Sequence, residues 1–294
     1  MRHSEQKNLS REDKNVIVGG VLYLVATPIG NLSDISERAL KVLSSVDFIA
    51  AEDTRNTGRL LAYFGISKPM VSYFEHNKRE RGEIIVERIQ NGESCALVTD
   101  AGTPAISDPG EDLVRLCAEK NVTVTSIPGC CAVINALALS ALSTQRFCFE
   151  GFLSTNKGER YERLEEIKKD RRTTIFYEAP HKLKKTLDDI YKVFGDRKIS
   201  LCRELTKLNE EVIRTTLSGA IEHYGVNDPR GEYVLVVEGA SDEDSSADSF
   251  FASMTLIEHL EYYISQGMSK MDATKAVAKD RGVAKSVIYN ELNK

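Results

Sequence analysis

The sequence predicts an α/β protein with two α/β halves, a parallel sheet in the first and a mixed sheet in the second, followed by a small helical domain. Three observations predict it. Between residues 21 and 127, short apolar runs alternate with amphipathic segments, the pattern of a mostly parallel sheet. Beyond residue 147 the strand-like runs are less regularly separated by helices, which implies a mixed sheet. An acidic, serine-rich stretch at 240–251 then precedes three short helical segments. The resulting division is a polar, disordered tail over 1–18, an N-terminal half over 19–135, a C-terminal half over 136–239, the linker 240–251, and a helical domain over 252–294.

The elements follow in order. Residues 21–26 (Val-Leu-Tyr-Leu-Val-Ala) read as a buried first strand, ended by the turn Thr27-Pro28-Ile29-Gly30-Asn31. Asp34, with Glu37 three residues on, has the form of a capping box, and Ile35, Ala39, Leu40, Val42 and Leu43 give the next helix its apolar face. Strands are expected at 46–51 and 70–74, with helices at 57–64, stopped by Gly65, and at 82–90. The apolar strand 95–99, a helix over 111–120 and the strand 122–127 complete the first half. Pro128-Gly129 opens a helix over 131–142. The second half places strands at 147–149, 173–177, 199–203, 211–216 and 233–237, with helices at 157–169, 180–193 and 219–224. Helices at 254–264, 271–279 and 284–292 close the chain, and the last pair resembles a helix-turn-helix.

Composition bounds the function. The chain has 294 residues, 41% of them apolar and 28% charged, as in a soluble protein with a full core. The longest apolar stretch, 132–142, is shorter than the roughly 20 residues that span a bilayer. Residues 1–15 are polar and do not read as a secretory signal. The six cysteines contain no Cys-x-x-Cys, and reduced thiols in a cytoplasm are expected. Histidines and cysteines show no metal-ligand spacing, so no metal site is expected. A net charge of −5 means that any contact with RNA must use local patches.

The loop Asp100-Ala101-Gly102-Thr103-Pro104-Ala105-Ile106-Ser107-Asp108-Pro109-Gly110 lies between a strand and a helix, where α/β sheets bind ligands. Its glycines admit close backbone approach, and its prolines stiffen it. Four further turns at strand ends have a similar make-up. They are Thr27 to Asn31, Ile127-Pro128-Gly129, Phe176-Tyr177-Glu178-Ala179-Pro180-His181, and Arg230-Gly231-Glu232-Tyr233. No Gly-x-Gly-x-x-Gly and no nucleoside triphosphate loop is present. A backbone-shaped pocket with Ile106, Ala132 and Ala179 and few cations suits a ligand of low net charge with an adenine-like ring.

Together with Ala51-Glu52-Asp53-Thr54-Arg55, these motifs resemble the ribosomal RNA small-subunit methyltransferase I family of the tetrapyrrole-methylase superfamily, from about Val21 to Gly239. The appended helices are similar as well. The resemblance implies two α/β domains of the tetrapyrrole-methylase type, S-adenosylmethionine bound between them, a cytoplasmic homodimer, and methylation of a decoding-region cytidine of 16S rRNA at the ribose 2′-oxygen. The donor site it implies comprises Pro28, Asp100, Gly102, Thr103, Pro104, Ile106, Ser107, Pro128, Gly129, Ala132, Tyr177, Ala179, Gly231 and Glu232. Cys130 after Pro-Gly and Lys182 after Ala-Pro-His depart from the common pattern.

The ribose hydroxyl must lose a proton, and the candidate bases are Glu178, His181, Glu52, Asp53 and His76, with Glu178, His181 and Asp53 taken as catalytic. Glu178 and Asp53 are equally suited to cap the helices that follow them. Glu52, Arg55, Arg59, Lys78, Arg79, Arg81 and Lys182 are expected to face RNA. So are the runs Lys168-Lys169 and Arg171-Arg172, and lysines 270, 275, 279 and 285. The ordered small subunit is the expected substrate. Two rivals stand beside this reading: a methylase of a tetrapyrrole or other small molecule, and a nucleic-acid-binding regulator led by the final helix pair.

Overall fold

The computed structural model describes residues 16–241, 254–281 and 283–292. The expected tail and linker fall outside these residues, apart from 16–18 and 240–241.

The first half is a five-stranded sheet in the order β3-β2-β4-β1-β5, with every pairing parallel. Its strands are β1 (Val21–Val25), β2 (Phe48–Ala51), β3 (Met70–Ser72), β4 (Cys95–Val98) and β5 (Thr123–Ile127). β2 and β4 are buried along their whole length, which explains their unbroken apolar sequences. α1 (Glu37–Ser45) and α2 (Thr54–Tyr63) cover one face, through Ala39, Val42, Leu43 and Leu61. α3 (Lys78–Gln90) and α4 (Gly110–Glu119) cover the other, through Ile85, Val86, Ile89, Leu113 and Cys117. β1 and β4 are neighbours whose following helices leave to opposite faces. This switch point places the crevice of the first sheet outside the carboxyl ends of these two strands.

The second half is a mixed sheet in the order β6-β7-β10-β8-β9. β6 (Phe147–Phe152) pairs parallel with β7 (Thr173–Glu178). β10 (Tyr233–Val237) runs antiparallel to β7 and β8 (Lys198–Arg203), and β8 antiparallel to β9 (Glu211–Thr216). Helices α6 (Lys157–Ile167), α7 (Pro180–Phe194) and α8 (Leu217–Val226) pack on one face. α5 (Ala132–Leu139) covers the other, with Ile29 of the first half packed beside it. The expected boundary at 135/136 thus cuts through α5, whose Val133, Ala136 and Leu137 belong to the core of the second sheet.

Three other expectations are corrected. Asp34 ends a short 3-10 turn capped by Asn31; the cap of α1 is Ser36, whose hydroxyl accepts from the Ala39 amide. α2 begins at Thr54, three residues earlier than expected, because Asp53 supplies the cap. α3 begins at Lys78, on a charged turn without apolar residues. Beyond the linker, α9 (Leu256–Ser265), α10 (Lys270–Asp280) and α11 (Lys285–Leu292) enclose a small core of Leu260, Ala273, Val277, Ala278 and Ile288. Thr255 and Glu258 form a capping box on α9.

Candidate functional site

The carboxyl ends of β6, β7 and β8 lie at one edge of the second sheet. Because β10 is antiparallel, its first residues lie there too: Tyr233 pairs with Glu178 and with Arg203. This edge and the crevice of the first sheet enclose a cleft of about 330 Å³, a volume within the range of small-molecule sites.

The first wall is the loop after β4. Thr27 and Gly102 exchange backbone hydrogen bonds of 2.9 Å, which tie this loop to the one after β1. Gly102 has φ +85°, a backbone conformation that side chains rarely adopt and that favours glycine. Ala105 and Ser107 take φ values of 67° and 65°, unusual for residues with side chains. Asp108 holds this shape: its Oδ1 accepts from the Ala105 amide at 3.0 Å and the Gly110 amide at 2.7 Å. Burial raises the Asp108 carboxyl above its usual range, despite those two donors. The Thr103 hydroxyl donates to the Cys130 carbonyl at 2.9 Å, fastening the loop to the turn before α5. Glu52, at the end of β2, accepts from the Thr99 hydroxyl at 2.7 Å.

The second wall belongs to the second sheet. Glu178 is 4% exposed and both its oxygens are engaged, Oε1 by the Ala179 amide at 2.8 Å and Oε2 by the Thr186 hydroxyl at 2.5 Å. Burial raises the Tyr177 phenol to about 12. After β8, Lys207 donates to Glu204 and to Glu232 at 2.9 Å each, and the Glu232 amide donates to Glu204 Oε1. Burial lowers the Lys207 pKa, but the two carboxylates outweigh it and leave the ammonium above its usual value. Gly231, with φ +74°, sits against the Glu204 side chain where a Cβ would overlap it.

Of the residues expected at the donor site, Gly102, Thr103, Ile106, Ser107, Ala132, Tyr177, Ala179 and Glu232 line the cleft, as do Glu52 and Glu178. Pro28, Asp100, Pro104, Pro128, Gly129 and Gly231 belong to the loops that shape it, without lining it. Asp100 is raised above its usual range by burial and by the nearby Glu52 charge. Asp53 is not in the lining: its carboxylate caps α2 through the Arg55 amide at 2.8 Å and pairs with the Arg55 guanidinium, which holds it at about 2. His181 and His76 are also outside the lining.

The residues expected to face RNA are dispersed. Arg55 is 85% exposed, Arg79 is exposed, Lys182 is half-buried, and Arg59 and Arg81 stand on the outer faces of α2 and α3. Several cations are already paired: Lys78 with Glu75 and Asp112, Lys168 with Glu165, Arg172 with Asp170, and Lys275 with Asp272. Lys270 and Lys285 are exposed, and the Lys279 side chain lies outside the described residues.

Sequence reasoning missed Phe152, Glu204 and Lys207. The strand-end logic that found the other turns also marks Glu204-Leu205-Thr206-Lys207, which follows β8 directly. The expectation of few cations holds, but the acidic character of the lining was not foreseen. Glu52, Asp108, Glu178, Glu204 and Glu232 face the cleft against the single ammonium of Lys207. Among the described residues, no cluster of His, Cys, Asp and Glu could hold a metal, and no helix is long and apolar enough to cross a membrane.

Comparison with known proteins gives a consistent result. The family model of the tetrapyrrole (corrin/porphyrin) methylases matches residues 21–221. The ribosomal RNA small subunit methyltransferase I of Halalkalibacterium halodurans is 45% identical over 98% of both chains. The protein of the same name from Bacillus subtilis is 46% identical over 92% of this chain and 93% of its own. The crystal structure of a diphthine synthase covers 74% of this chain and 90% of its own with a TM-score of 0.56 at 16% identity, a likeness of fold.

Proposed function

The chain belongs to the tetrapyrrole (corrin/porphyrin) methylases and, within them, to the ribosomal RNA small subunit methyltransferase I group, and from this premise we propose that it methylates the ribose 2′-oxygen of a decoding-region cytidine in 16S rRNA, in the assembled small subunit. It is an S-adenosylmethionine-dependent rRNA methyltransferase. The observation that carries the reading is 45% identity across nearly the whole of both chains, C-terminal helices included. The reading includes a homodimer in the cytoplasm.

The cleft fits the donor. Its volume, its backbone-lined wall and its excess of carboxylates suit a molecule with a flat base and a cationic sulfonium. The loop from Gly102 to Ser107, with Ala132, Tyr177, Ala179 and Glu232, would hold it. When bound, the donor supplies a methyl group already activated on sulfur. The acidic lining also weighs against a tetrapyrrole acceptor. Such molecules are polycarboxylates, and the one lysine in the lining is already paired twice.

The chain's remaining task is to orient the hydroxyl and accept its proton. Of the five candidate bases, only Glu52 and Glu178 line the cleft. Glu178 already uses both oxygens on α7, one on the Ala179 amide before the helix and one on the Thr186 hydroxyl within it, so we assign it a positioning role. Glu52 is the proton acceptor in this reading. The test is incubation with labelled S-adenosylmethionine and small subunits from cells lacking this activity, followed by nucleoside analysis. Label in 2′-O-methylcytidine is expected; label on a base, or none, overturns the reading. Glu52→Gln should lose turnover far beyond any loss of donor affinity, since four other carboxylates of the lining remain.

A further inference from the structure

Phe152 lines the cleft without a part in donor binding or proton transfer, yet several features of the fold converge to put it there. It ends β6, an edge strand, lines the cleft, and is 59% exposed. A single exposed phenylalanine is ordinary. The way this one is held is not.

Three constraints act on it. The first is a β-bulge: Phe149 pairs with Ile175, but Gly151 pairs with Phe176 and Phe152 with Tyr177. Side chains alternate along a strand, so without the extra residue Phe152 would share the face of Cys148 and Glu150. The bulge turns it onto the face of Phe149, Ile175 and Tyr177, which is the face of the cleft. The second is Gly151 itself, with φ +65° and the position of a Cβ 2.8 Å from Ser107 Oγ; the bulge packs directly on the donor loop. The third follows the strand. Arg160, almost wholly buried and paired with Asp189 at 2.7 Å, donates to the carbonyls of Ser154 and Thr155 at 2.8 and 3.2 Å. The segment after Phe152 is thereby clamped. Behind the ring lies Tyr177, with centroids 5.5 Å apart, and Phe149 packs edge-on against Tyr177 at 4.9 Å.

We propose that Phe152 is a stacking platform for the base of the target nucleotide, splayed out of the RNA when its sugar enters the cleft. The inference rests on the proposed RNA substrate. Single-stranded bases are recognised by stacking on aromatic rings, and a ring fixed before binding loses little freedom on contact. The position also favours the substrate over the donor's adenine: Phe152 stands at the lip, open to solvent, where it meets what arrives from outside.

The experiment compares Phe152→Ala, Phe152→Leu and Phe152→Tyr with the parent protein, on small subunits at saturating donor and by calorimetry with S-adenosylmethionine alone. Phe152→Ala should lower kcat/KM for the subunit by about 10- to 100-fold, the worth of one stacked base, with donor affinity unchanged. Phe152→Tyr should restore the rate and Phe152→Leu should not. Unchanged kcat/KM in the alanine variant overturns the proposal. So does full rescue by leucine, which would mean packing, or a parallel loss of donor affinity, which would place the adenine on this ring. A parent protein that does not methylate small subunits would instead overturn the proposed function.

Discussion

Replacing Asp108 by alanine tests whether the donor loop is built in advance. The carboxylate accepts two backbone amides, at 3.0 and 2.7 Å, across the turn that contains Ala105 and Ser107. A hydrogen bond to a charged group contributes about 1.5–3 kcal/mol. Asp108 is only half-buried, so the pair is taken at the low end, about 3 kcal/mol together. Two non-glycine residues at positive φ cost about 1 kcal/mol or more each. Without the carboxylate the loop therefore relaxes in the free enzyme, and donor binding must rebuild it at a cost of about 2–3 kcal/mol. At about 1.4 kcal/mol per tenfold, the donor Kd rises about 30- to 150-fold. Asp108→Asn keeps an acceptor oxygen but loses its charge, and should weaken binding about fivefold. Calorimetric titration with S-adenosylmethionine measures both, with thermal unfolding confirming that each variant folds. An alanine variant that binds donor within about twofold of the parent would show that the backbone holds this shape unaided.

Further consequences are open to measurement. Arg160→Met leaves Asp189 buried without its cation and should lower stability by about 3–5 kcal/mol in urea melts, whereas Arg160→Met with Asp189→Leu should recover most of it. Asp53→Ala should lower the melting temperature through loss of its cap on α2 but leave kcat at saturating donor unchanged, since Asp53 lies outside the cleft. His259 is fully buried, and burial together with Arg281 lowers its pKa against the pull of Asp280, with the Tyr263 ring stacked on it. Because the folded value lies below the unfolded one, its contribution is complete above the usual imidazole range and is lost as pH falls through the folded value. Measured relative to the intrinsic exchange rate at each pH, amide protection in α9 and α10 should therefore fall between about pH 7.5 and pH 5 while that of β1 and β4 is kept. Unchanged protection of α9 and α10 across that range would remove the histidine from the account.

What the sequence made legible depends on how local each signal is. Strands β1, β4 and β10 are unbroken apolar runs because both faces are covered, and they stand where expected. The loop from Asp100 to Gly110 is marked by its own glycines and prolines. Signals that depend on pairing did not show. Glu204 and Lys207 meet Glu232 only because β10 runs antiparallel to β8, which no local spacing reveals. Phe152 lay beyond the expected end of β6 at residue 149, and the bulge that turns it becomes visible only against β7. The cap of α1 passed from Asp34 to Ser36 because Asn31 had already bent the chain into a 3-10 turn. Of the basic residues read as RNA patches, Lys78, Lys168 and Lys275 are answered by acids one turn away, which charge counting along the chain does not register.

The same acids raise a question of electrostatics, since a protein of net charge −5 with an acidic cleft must still engage a polyanion. A division of labour resolves it. In the proposed reading, Glu52, Asp108, Glu178, Glu204 and Glu232 give the space between the sheets a negative potential that would draw in a sulfonium and keep phosphates at the rim. The demethylated product is a neutral thioether and feels that potential through its amino-acid end alone, where the charges of ammonium and carboxylate oppose each other. Salt, which shortens the reach of such fields from above about 10 Å to a few Å, should therefore weaken the donor more than the product. Between about 0.05 and 0.5 M salt, the ratio of donor Kd to product Kd should rise several-fold, read by calorimetry with each ligand. If both affinities fall by the same factor, or neither changes, the carboxylates do not select the donor by its charge, and backbone shape alone must account for its binding.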